Sequence, residues 1–581
     1  MTDAQSLITE NIDVWTSAIK KRSTTGRGSN KKIELTGIKK LRELILELAV
    51  HGKLVPQNPN DEPASKLLVR INDHLCKKIK KEELPKFKRD KSVVEPSDYH
   101  SDIPKSWTWC ELQDIVLFLN GKAHEQYVSE TPGYILINSK FVSNSGKIKK
   151  YATERLTPLN EGDIAMVMSD VPNGRALARC YLVETNDLYT LNQRICGLTT
   201  SPEFNKQYLK ITLNRHRYLL GYNDGKKQTN LKKIQVMSCP IALPPLTEQH
   251  RIVAKVDELM ALCDQLEQQT EDSITAHQTL VETLLATLSD SENSAAFNQN
   301  WIRIAEHFDT LFTTEHSIDQ LKQTILQLAV MGKLVPQNPK DEPASVLLKK
   351  IAAEKEQLIK NKKIKKQKLL PEITEDEKSF ELPNGWEWSR FYNIFHDLKY
   401  GTSKKSDYLV KGNPVLRIPN IVKGYIDSND LKFSELTNKE LNELKLKTGD
   451  LLLIRSNGSL SIVGQSAVVD EAHEGFSYAG YLVRVRLNIE NYNSNFLSLV
   501  LRSMLIRNQI EGPIRTTSGV KNINSTEISK LIMPIVPLVE QHRIVKKVDE
   551  LITLCDQLKS HLNNAQITQL HLADTIVENS F

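Results

Sequence analysis

Two long stretches of the chain, residues 110–230 and 389–520, carry polar and basic side chains in their turns. Arginine, lysine, asparagine and glutamine can pair with base edges in the major groove of DNA, because guanine presents two acceptors and adenine an acceptor beside a donor. Turns on a rigid scaffold can present such side chains to a partner. Each turn alone is equally well explained as an ordinary loop, so the prediction depends on their recurrence in both stretches.

The candidate DNA-binding residues follow from these turns. In the first stretch they are Lys122, His124, Glu125, Gln126, Ser139, Lys140, Arg175, Arg194, Lys226, Lys227 and Gln228. In the second stretch they are Ser403, Lys404, Lys405, Arg417, Asn420, Arg455, Asn457, Arg515, Lys521 and Asn522.

Motifs for catalysis and metal binding do not occur. The chain has no methyltransferase tetrapeptide of the N/D-PP-Y/F type, no GxxxxGK[S/T] phosphate loop, no HExxH and no G-x-S-x-G elbow. Its seven cysteines are scattered without a CxxC pair, which favours neither zinc nor disulfides and is typical of a reducing cytoplasm. We predict no catalytic residues and no metal site.

Composition sets broad limits. The 581 residues are 40% apolar and 25% charged, so several soluble domains are expected. The chain contains no run of about 18 apolar residues, so no membrane span is predicted. The first residues lack the pattern of a secretion signal. The net charge of +6 is compatible with a nucleic-acid partner without identifying one.

An internal duplication is the strongest signal. LAVHGKLVPQNPNDEPASKLL at 48–68 returns at 328–348 with 18 of 21 positions identical, and PLTEQHRIVAKVDELMALCDQL at 245–266 returns at 537–558 with 18 of 22 identical. The stretches between these landmarks share little beyond Gly-Asp pairs at 162–163 and 449–450. A generic two-domain repeat would explain this pattern. It is equally explained if the repeated segments share one function and each divergent middle stretch has a function of its own.

The repeated ends predict helical connectors. Apolar residues after Pro245 and after Pro537 alternate in steps of four and three, as in a coiled coil, and extend in the second copy through Ala565, Leu572 and Ile576. The partner stripes are Ile38, Leu41, Ile45 and Leu48 at the N-terminus and Ile318, Leu321, Ile325 and Leu328 in the centre. Each is expected to pair in an antiparallel hairpin, the central one closed by a loop near 289–300. Because each terminus supplies half a connector, the termini are expected to meet.

The PxLxEQ motif before each connector helix leaves two readings open. Glu248, Gln249 and Arg251, with their counterparts Glu540, Gln541 and Arg543, could stabilise the start of the helix or dock a partner. The lysine-rich stretches 77–91 and 360–368 are similarly either solvated linker or phosphate contacts.

The two middles resemble mixed α+β domains. Short runs such as Tyr134–Ile137, Ile164–Met168, Leu451–Ile454 and Tyr481–Val485 predict strands, and helices are expected near 203–220 and 494–511.

Two divergent domains, each ending in a PxLxEQxRIVxKVDEL helix, resemble the specificity subunits of type I restriction–modification systems. The LAVxGKLVPQNPxDEPAS element, GKAHEQYV at 121–128 and YGTSK at 400–404 strengthen the resemblance, which covers nearly the whole chain. It implies an α+β fold in which two divergent target recognition domains are separated by two antiparallel helical (coiled-coil) connectors, in a pseudo-two-fold circular arrangement.

The resemblance also implies a function and partners. Each recognition domain would read one half of a split site in double-stranded DNA, and the connectors would set the gap and dock two modification (methyltransferase) subunits. S-adenosylmethionine would bind in those subunits, while ATP and Mg would serve the restriction (translocase/nuclease) subunits. The chain itself would bind no cofactor and catalyse nothing.

The domain division expected from these signals has six parts. They are an arm with a half-connector helix (1–101), recognition domain 1 (102–245), the central connector (246–350), a basic linker (351–381), recognition domain 2 (382–537) and a C-terminal half-connector helix (538–581). Residues 1–30, including Thr24–Asn30, have no assigned role. Two alternatives stay open: an enzyme with its own recognition domains, for which the repeat leaves no room, and a coiled-coil scaffold without DNA, which leaves the loop-rich middles unexplained.

Overall fold

The computed structural model describes residues 4–21, 33–81, 103–172, 174–291, 294–364, 370–422, 424–487, 490, 492–512, 515–517 and 520–580. The chain divides into two compact units: the first comprises Met1–Asp272 and Gln566–Phe581, and the second Ser273–Ala565. The segment Thr24–Asn30 lies outside the described residues, as do the last three lysines of 77–91 (Lys86, Lys88 and Lys91) and the lysines at 365–368.

The helices of the first unit, the last of which continues into the second, are α1 (Ala4–Thr9), α2 (Ile12–Ser17), α3 (Thr36–Val50), α4 (Ala64–Lys81), α5 (Ser139–Ser143), α6 (Lys206–Leu213), α7 (Arg217–Leu220), α8 (Lys233–Met237) and α9 (Leu246–Ser289). Its strands are β1 (Lys20–Lys21), β2 (Ile33–Glu34), β3 (Thr108–Glu111), β4 (Val116–Asn120), β5 (Val128–Ser129), β6 (Tyr134–Ile137), β7 (Tyr151–Ala152), β8 (Pro158–Leu159), β9 (Ile164–Val167), β10 (Ser169–Asp170), β11 (Cys180–Leu182), β12 (Tyr189–Leu191), β13 (Ile195–Thr200), β14 (Thr229–Asn230) and β15 (Pro240–Leu243).

The helices that follow are α10 (Ser294–Glu306), α11 (Phe308–Leu311), α12 (Glu315–Val330), α13 (Ala344–Lys360), α14 (Asn438–Leu444), α15 (Ser494–Arg502), α16 (Met504–Glu511), α17 (Ser525–Lys530) and α18 (Leu538–Glu578), whose end belongs to the first unit. The strands are β16 (Glu387–Arg390), β17 (Asp397–Tyr400), β18 (Asn413–Leu416), β19 (Ile421–Val422), β20 (Tyr425–Ile426), β21 (Lys432–Ser434), β22 (Leu451–Ile454), β23 (Ser456–Asn457), β24 (Ser466–Val468), β25 (Ser477–Tyr478), β26 (Leu482–Arg486), β27 (Arg515–Thr517), β28 (Val520–Asn522) and β29 (Ile532–Ile535).

The two middle domains have the same strand plan despite their different sequences. In the first domain the antiparallel order is β11-β9-β13-β4, and in the second it is β24-β22-β26-β17. A parallel pair, β12 with β6 or β25 with β18, accompanies each sheet, and β3–β15 or β16–β29 joins the ends of each domain. The expected α+β class is therefore confirmed.

The Gly-Asp pair that both middles share makes the same turn before β9 and β22. Gly162 and Gly449 both have φ near +85°, a conformation that strains other residues. The next residue closes the turn, since Asp163 accepts from the backbone N–H of Asn160 and Asp450 from that of Lys447, each at 2.8 Å.

The connector stripes are buried as predicted. In the first unit Ile38, Leu41 and Ile45 of α3 and Ile252 and Val256 of α9 all lie in the core. The two helices run antiparallel, because Arg42 contacts Glu267 while Gln57, farther along, contacts Glu248. Burying each aliphatic side chain contributes about 1.5–3 kcal/mol to the free energy of folding. The stripe is therefore the main stabilising contribution to this helix pair.

In the second unit the central stripe on α12 packs against the start of α18. Lys559 pairs with Asp319, and Lys322 pairs with Asp556, so these helices are also antiparallel. The end of α9 runs parallel to α12, since Glu282 contacts Gln320 and Ser289 contacts Lys333. The central stripe thus finds its antiparallel partner in the C-terminal helix rather than in a hairpin with α9.

Two further details of the predicted connectors are wrong. The loop expected near 289–300 is largely helix α10, whose Asn300 donates to Ser291 at 3.1 Å. The seam of α18 does not continue through Ala565 and Leu572, which are exposed; Ala573 is buried instead. An α-helix drifts from a strict seven-residue repeat along its length, and the buried face moves with it.

The termini meet, as the split connector predicted. The end of α18 packs beside α3 in the first unit, where Lys40 forms an ion pair with Asp574. The Lys53 ammonium also donates to the backbone carbonyl of Ser580 at 3.0 Å. Residues at opposite ends of the chain therefore complete one helical connector.

Candidate nucleic-acid interface

Five loops of the first domain converge at one end of its sheet; we call them the first rim (residues 121–126, 138–140, 168–175, 192–194 and 225–230). Five backbone N–H to carbonyl hydrogen bonds join the loops: Gly121 to Ile195 (3.1 Å), Lys122 to Leu191 (3.1 Å), Asn192 to Ile137 (3.1 Å), Met168 to Arg194 (3.0 Å) and Leu231 to Met168 (2.8 Å). Turns scattered over about a hundred residues thus form one surface.

The first rim brings together most of the polar residues predicted from the sequence. The exposed ones are Lys122, Glu125, Gln126, Lys140, Arg175, Arg194, Lys226, Lys227 and Gln228, and Ser139 is half-buried. Gln193 donates to Glu125 at 3.1 Å and Gln228 to Ser169 at 3.0 Å, which orders two of the loops.

His124 differs from its neighbours because it faces the interior. Its side chain is buried, with Nδ1 2.7 Å from the carbonyl oxygen of Lys122 and Nε2 3.0 Å from Thr190 Oγ1. Both ring nitrogens are occupied within the protein. The imidazole therefore holds the loop 121–126 in place rather than presenting a polar atom to solvent.

The second domain forms an equivalent second rim (residues 400–405, 417–420, 455–459, 479–481 and 520–523). The corresponding N–H to carbonyl bonds are Gly401 to Leu482 (3.2 Å), Thr402 to Tyr478 (2.9 Å), Ala479 to Leu416 (2.9 Å), Arg455 to Tyr481 (2.9 Å) and Ile523 to Arg455 (2.9 Å). The same framework is therefore built twice from unrelated side chains.

This shared framework aligns positions that sequence comparison could not align. Tyr481 occupies the position of Arg194, because each gives its carbonyl to the strand-end residue opposite. By the same criterion Arg455 occupies the position of Met168, and the middle loops differ in charge, size and aromatic character at equivalent points. A constant scaffold with different side chains at its rim is the geometry expected of two readers with different targets.

Several predicted residues of the second rim are engaged within the protein. Lys404 pairs with Glu440 at 2.8 Å and thereby lowers the pKa of that carboxyl to about 2. Arg417 pairs with Asp430 at 2.8 Å, and the buried Asn420 donates to the carbonyls of Asp427 and Asp430. Asn420 therefore shapes its loop, whereas Ser403 and Lys405 are exposed.

The remaining predicted residues lie where β23, β27 and β28 meet. Asn457 pairs with Lys521 across two strands, and Asn522 is the register partner of Arg515, whose side chain lies outside the described part of the structure. The Arg455 guanidinium lies over the Tyr400 ring at 4.5 Å, and its Nε is buried without a hydrogen-bond partner among the described residues.

Sequence reasoning missed three residues at or beside the rims: Tyr481, Arg179 and Arg215. Tyr481 is 62% exposed although it is aromatic. It was read as the first residue of a strand, which in the structure begins at Leu482. Aligning the domains by strand order instead of residue identity would have identified it.

In each unit the PxLxEQ motif contacts the LVPQNPxDEP element, which assigns a structural role to the motif. In the first unit Arg251 donates to Asp61 at 2.6 Å, and Gln57 donates to the buried Glu248 at 2.5 Å. Gln249 is also buried and accepts from the backbone N–H of Asn205 at 2.9 Å. The motif therefore connects the LVPQNPxDEP element, the recognition domain and the connector.

The second copy repeats these contacts. Arg543 donates to Asp341 at 2.6 Å, Gln337 to Glu540 at 3.3 Å, and Gln541 accepts from the Asn493 N–H at 2.9 Å. Burial raises the pKa of Glu540, as it does that of Glu248, despite the hydrogen bond from the Trp386 indole to Glu540. Such mutual contacts explain why the two elements stayed alike in both copies.

Neither a metal site nor a membrane helix is found in the described ranges. No group of three or more His, Cys, Asp or Glu residues there could hold a metal ion. None of the helices given above combines the length and apolar character that spanning a membrane requires.

The model for the type I restriction modification DNA specificity domain matches residues 104–276 and again 383–569, more than half of the chain. The chain is 40% identical over 603 residues to the EcoAI specificity subunit of Escherichia coli, covering 99% of both. It is 39% identical over 611 residues to the EcoEI specificity subunit of Escherichia coli, again covering 99% of both. A structure of the HsdS subunit from Thermoanaerobacter tengcongensis, at 15% identity, aligns with 83% of this chain and 98% of that one, with a TM-score of 0.42. The chain belongs to the family of type I restriction–modification DNA specificity subunits.

Proposed function

We propose that each recognition domain reads one half of a two-part DNA sequence and that the chain catalyses no reaction itself. The observation that carries this proposal is the five-bond framework built twice, with different side chains at equivalent rim positions. If both domains read the same sequence, nothing would favour arginine at position 194 and tyrosine at 481. Two unlike rims in one chain produce an asymmetric site.

Within this proposal the exposed rim residues read or position the DNA. In the first rim Arg194, Lys122 and Gln126 offer donors and acceptors suited to base edges, and the lysines at 226 and 227 suit phosphates. In the second rim the half-buried Lys521, Asn457 and Arg455 are the corresponding candidates. His124 and Asn420 act through the loops that they hold.

The connectors carry the partners and set the spacing between half-sites in this proposal. Glu248, Gln249 and Arg251 contribute by fixing the connector to its domain, as do Glu540, Gln541 and Arg543. Docking of two modification subunits would use exposed neighbours. Leu262 and Leu554, at matching positions of the two copies, are 47% and 60% exposed and are the candidates for such contacts.

The chemistry belongs to the partners in this scheme. Methylating a stacked base requires flipping it out of the duplex into a catalytic pocket. S-adenosylmethionine would bind in the modification subunits, and ATP and Mg would serve the restriction subunits. The cytoplasmic location and the six-part domain division remain predictions.

The test uses the purified full-length chain with and without its modification subunits. Labelled S-adenosylmethionine should give no methyl transfer to DNA with the chain alone and transfer with the complex. Footprinting of the complex should show protection of two short sequences at a fixed separation. Robust transfer by the chain alone would contradict the non-catalytic role, and protection indifferent to sequence would contradict DNA reading.

A further inference from the structure

Three arginines, Arg175 in the first rim and Arg179 and Arg215 beside it, form what we call the arginine cluster. The backbone carbonyl of Arg175 accepts from Arg179 Nε at 2.6 Å and from Arg215 NH1 at 2.9 Å. Two guanidinium groups therefore converge on one oxygen atom. The fold enforces this arrangement, because Arg215 adopts a left-handed backbone (φ 62°) and its N–H donates to the carbonyl of Ala178 at 2.8 Å.

The positive charge of the arginine cluster is not balanced by ion pairs. Among the described residues none of the three guanidinium groups lies within ion-pair distance of a carboxylate. Asp170, the acidic residue that acts on Arg215, already accepts from the backbone N–H groups of Val171, Ala176 and Leu177. Burial and the neighbouring Arg179 and Arg175 lower the pKa of Arg215, which is the direction expected of crowded like charges.

The second domain shows that bracing this loop does not require such crowding. The equivalent connection, between β22 and β24, is braced by Arg507, which donates to the carbonyls of Leu460 and Val463. There a single arginine braces the loop, and its charge is balanced by an ion pair with Glu511 one turn along α16. The first domain thus carries more positive charge at this place than its own structure needs.

The arginine cluster lies next to loops of the first rim. Arg175 belongs to the loop that begins at Met168, whose N–H donates to the carbonyl of Arg194. Ser169, the next residue, donates to Asn230 at 2.6 Å and thereby ties this loop to the loop of Lys226 and Lys227. An anion bound to the cluster would therefore sit at the edge of the reading surface.

We propose that the arginine cluster binds a phosphate group of the DNA backbone beside the first half-site, an inference that rests on the proposed DNA-reading function. Guanidinium groups bind phosphate oxygens in bidentate geometry, and a bound anion would offset the repulsion among the three charges. Contacts to phosphate fix the register of a protein on the duplex without carrying sequence information. The cluster would position the DNA while Arg194 and its neighbours read it.

The test compares Arg179→Gln and Arg215→Gln with Arg507→Gln, the matched control from the second domain. Affinity of the full-length chain, assembled with its modification subunits, is measured for specific and for shuffled duplexes over a range of salt concentrations. Each cluster variant should make the slope of log affinity against log salt shallower by about 1, with equal loss on both duplexes. Arg507→Gln should leave the slope unchanged.

A second readout separates binding from folding. In the free chain Arg179→Gln should keep or raise the thermal midpoint, because it relieves repulsion, whereas Arg507→Gln should lower it. An unchanged salt slope in both cluster variants would overturn the phosphate site, as would a loss confined to the specific duplex. A third outcome would also overturn the DNA phosphate site. If inorganic phosphate raises the thermal midpoint of the wild type while both cluster variants keep full DNA affinity, the cluster is a site for a free anion. Wild-type failure to bind DNA would instead refute the proposed function.

Discussion

Arg251 donates to the carboxylate of Asp61 at 2.6 Å, and this ion pair joins two segments 190 residues apart in the chain. Asp61 is almost wholly buried and also accepts from Thr247 at 2.7 Å. The arginine lowers the pKa of Asp61, so the carboxylate is charged and paired at neutral pH. The pair fixes the first LVPQNPxDEP element to the connector helix α9, and Arg543 with Asp341 does so for the second element and α18.

Arg251→Gln and Arg543→Gln should each lower the stability of their own unit by about 1–3 kcal/mol, because each leaves a buried carboxylate without its charged donor. Urea unfolding followed by site-specific fluorescence in each unit measures this. Lys255→Gln is the control, since Lys255 and Glu258 form an exposed pair on α9 that is worth less than about 1 kcal/mol. Equal effects of Arg251→Gln and Lys255→Gln would contradict the structural role of the motif.

His216 should make the first unit sensitive to mild acid. Burial, helped by Arg217, lowers the pKa of its imidazole to about 4, and Nδ1 accepts from the Tyr218 N–H at 3.3 Å. A histidine with a lowered folded pKa contributes stability above its unfolded pKa, about 6.5, and loses it as the pH falls toward 4.

His216→Asn retains a side chain that can cap α7 and removes the titrating group. The thermal midpoint of the wild type should therefore fall more between pH 7 and pH 5 than that of the variant. Parallel losses in the two proteins would contradict a folded-state pKa of His216 below its unfolded value.

Tyr481 and Arg194, at equivalent rim positions, should control different halves of the DNA site. Tyr481→Ala should weaken binding by about 1–2 kcal/mol through loss of an aromatic contact with a base. Arg194→Gln should reduce discrimination at one base pair by about 1–3 kcal/mol. Binding to duplexes mutated in one half-site at a time measures both effects.

Each of these variants is the control for the other, and both should fold normally because the side chains are exposed. The effect of Tyr481→Ala should appear only in the second half-site and that of Arg194→Gln only in the first. An effect of either substitution on both halves would contradict separate reading.

The connector helices should set the spacer between half-sites. Four residues inserted after Asp272, where α9 passes from the first unit into the second, add about 6 Å of helix. At roughly 3.4 Å per base pair, the tolerated spacer should lengthen by about one or two base pairs with both half-sites unchanged.

The structure suggests a companion variant, because α18 also has residues in both units. A second insertion after Ala565 should restore affinity lost to unequal helix lengths, again with a longer spacer. Competition among duplexes of graded spacing measures this, and a changed half-site sequence would contradict the ruler.

Periodicity and repetition predicted much of the architecture. The strands Tyr134–Ile137 and Leu451–Ile454 occur as expected, the apolar stripes are buried, and the turns gather into rims. Such features depend on local patterns that every residue of the element shares. The pairing of α12 with α18 was not predicted, since identical stripes on several helices do not specify which two will meet.

The direction of the side chains at the rims could not be predicted from the sequence. His124 turns inward because Thr190, 66 residues away, offers it a hydrogen-bond partner, and Asn420 turns inward toward the carbonyls of Asp427 and Asp430. Nothing next to these residues in the chain indicates those partners. Tyr481 was overlooked for another reason, because the sequence pattern assigned it to the strand that in the structure begins at Leu482.

The most direct test of separate half-site reading replaces residues 104–245 with the recognition domain of another family member and maps methylated adenines genome-wide in cells that carry the complete system. The account predicts methylation at a new two-part sequence in which one half has changed and the other half, with its spacing, is retained. Changes in both halves, or an unaltered sequence, would contradict it.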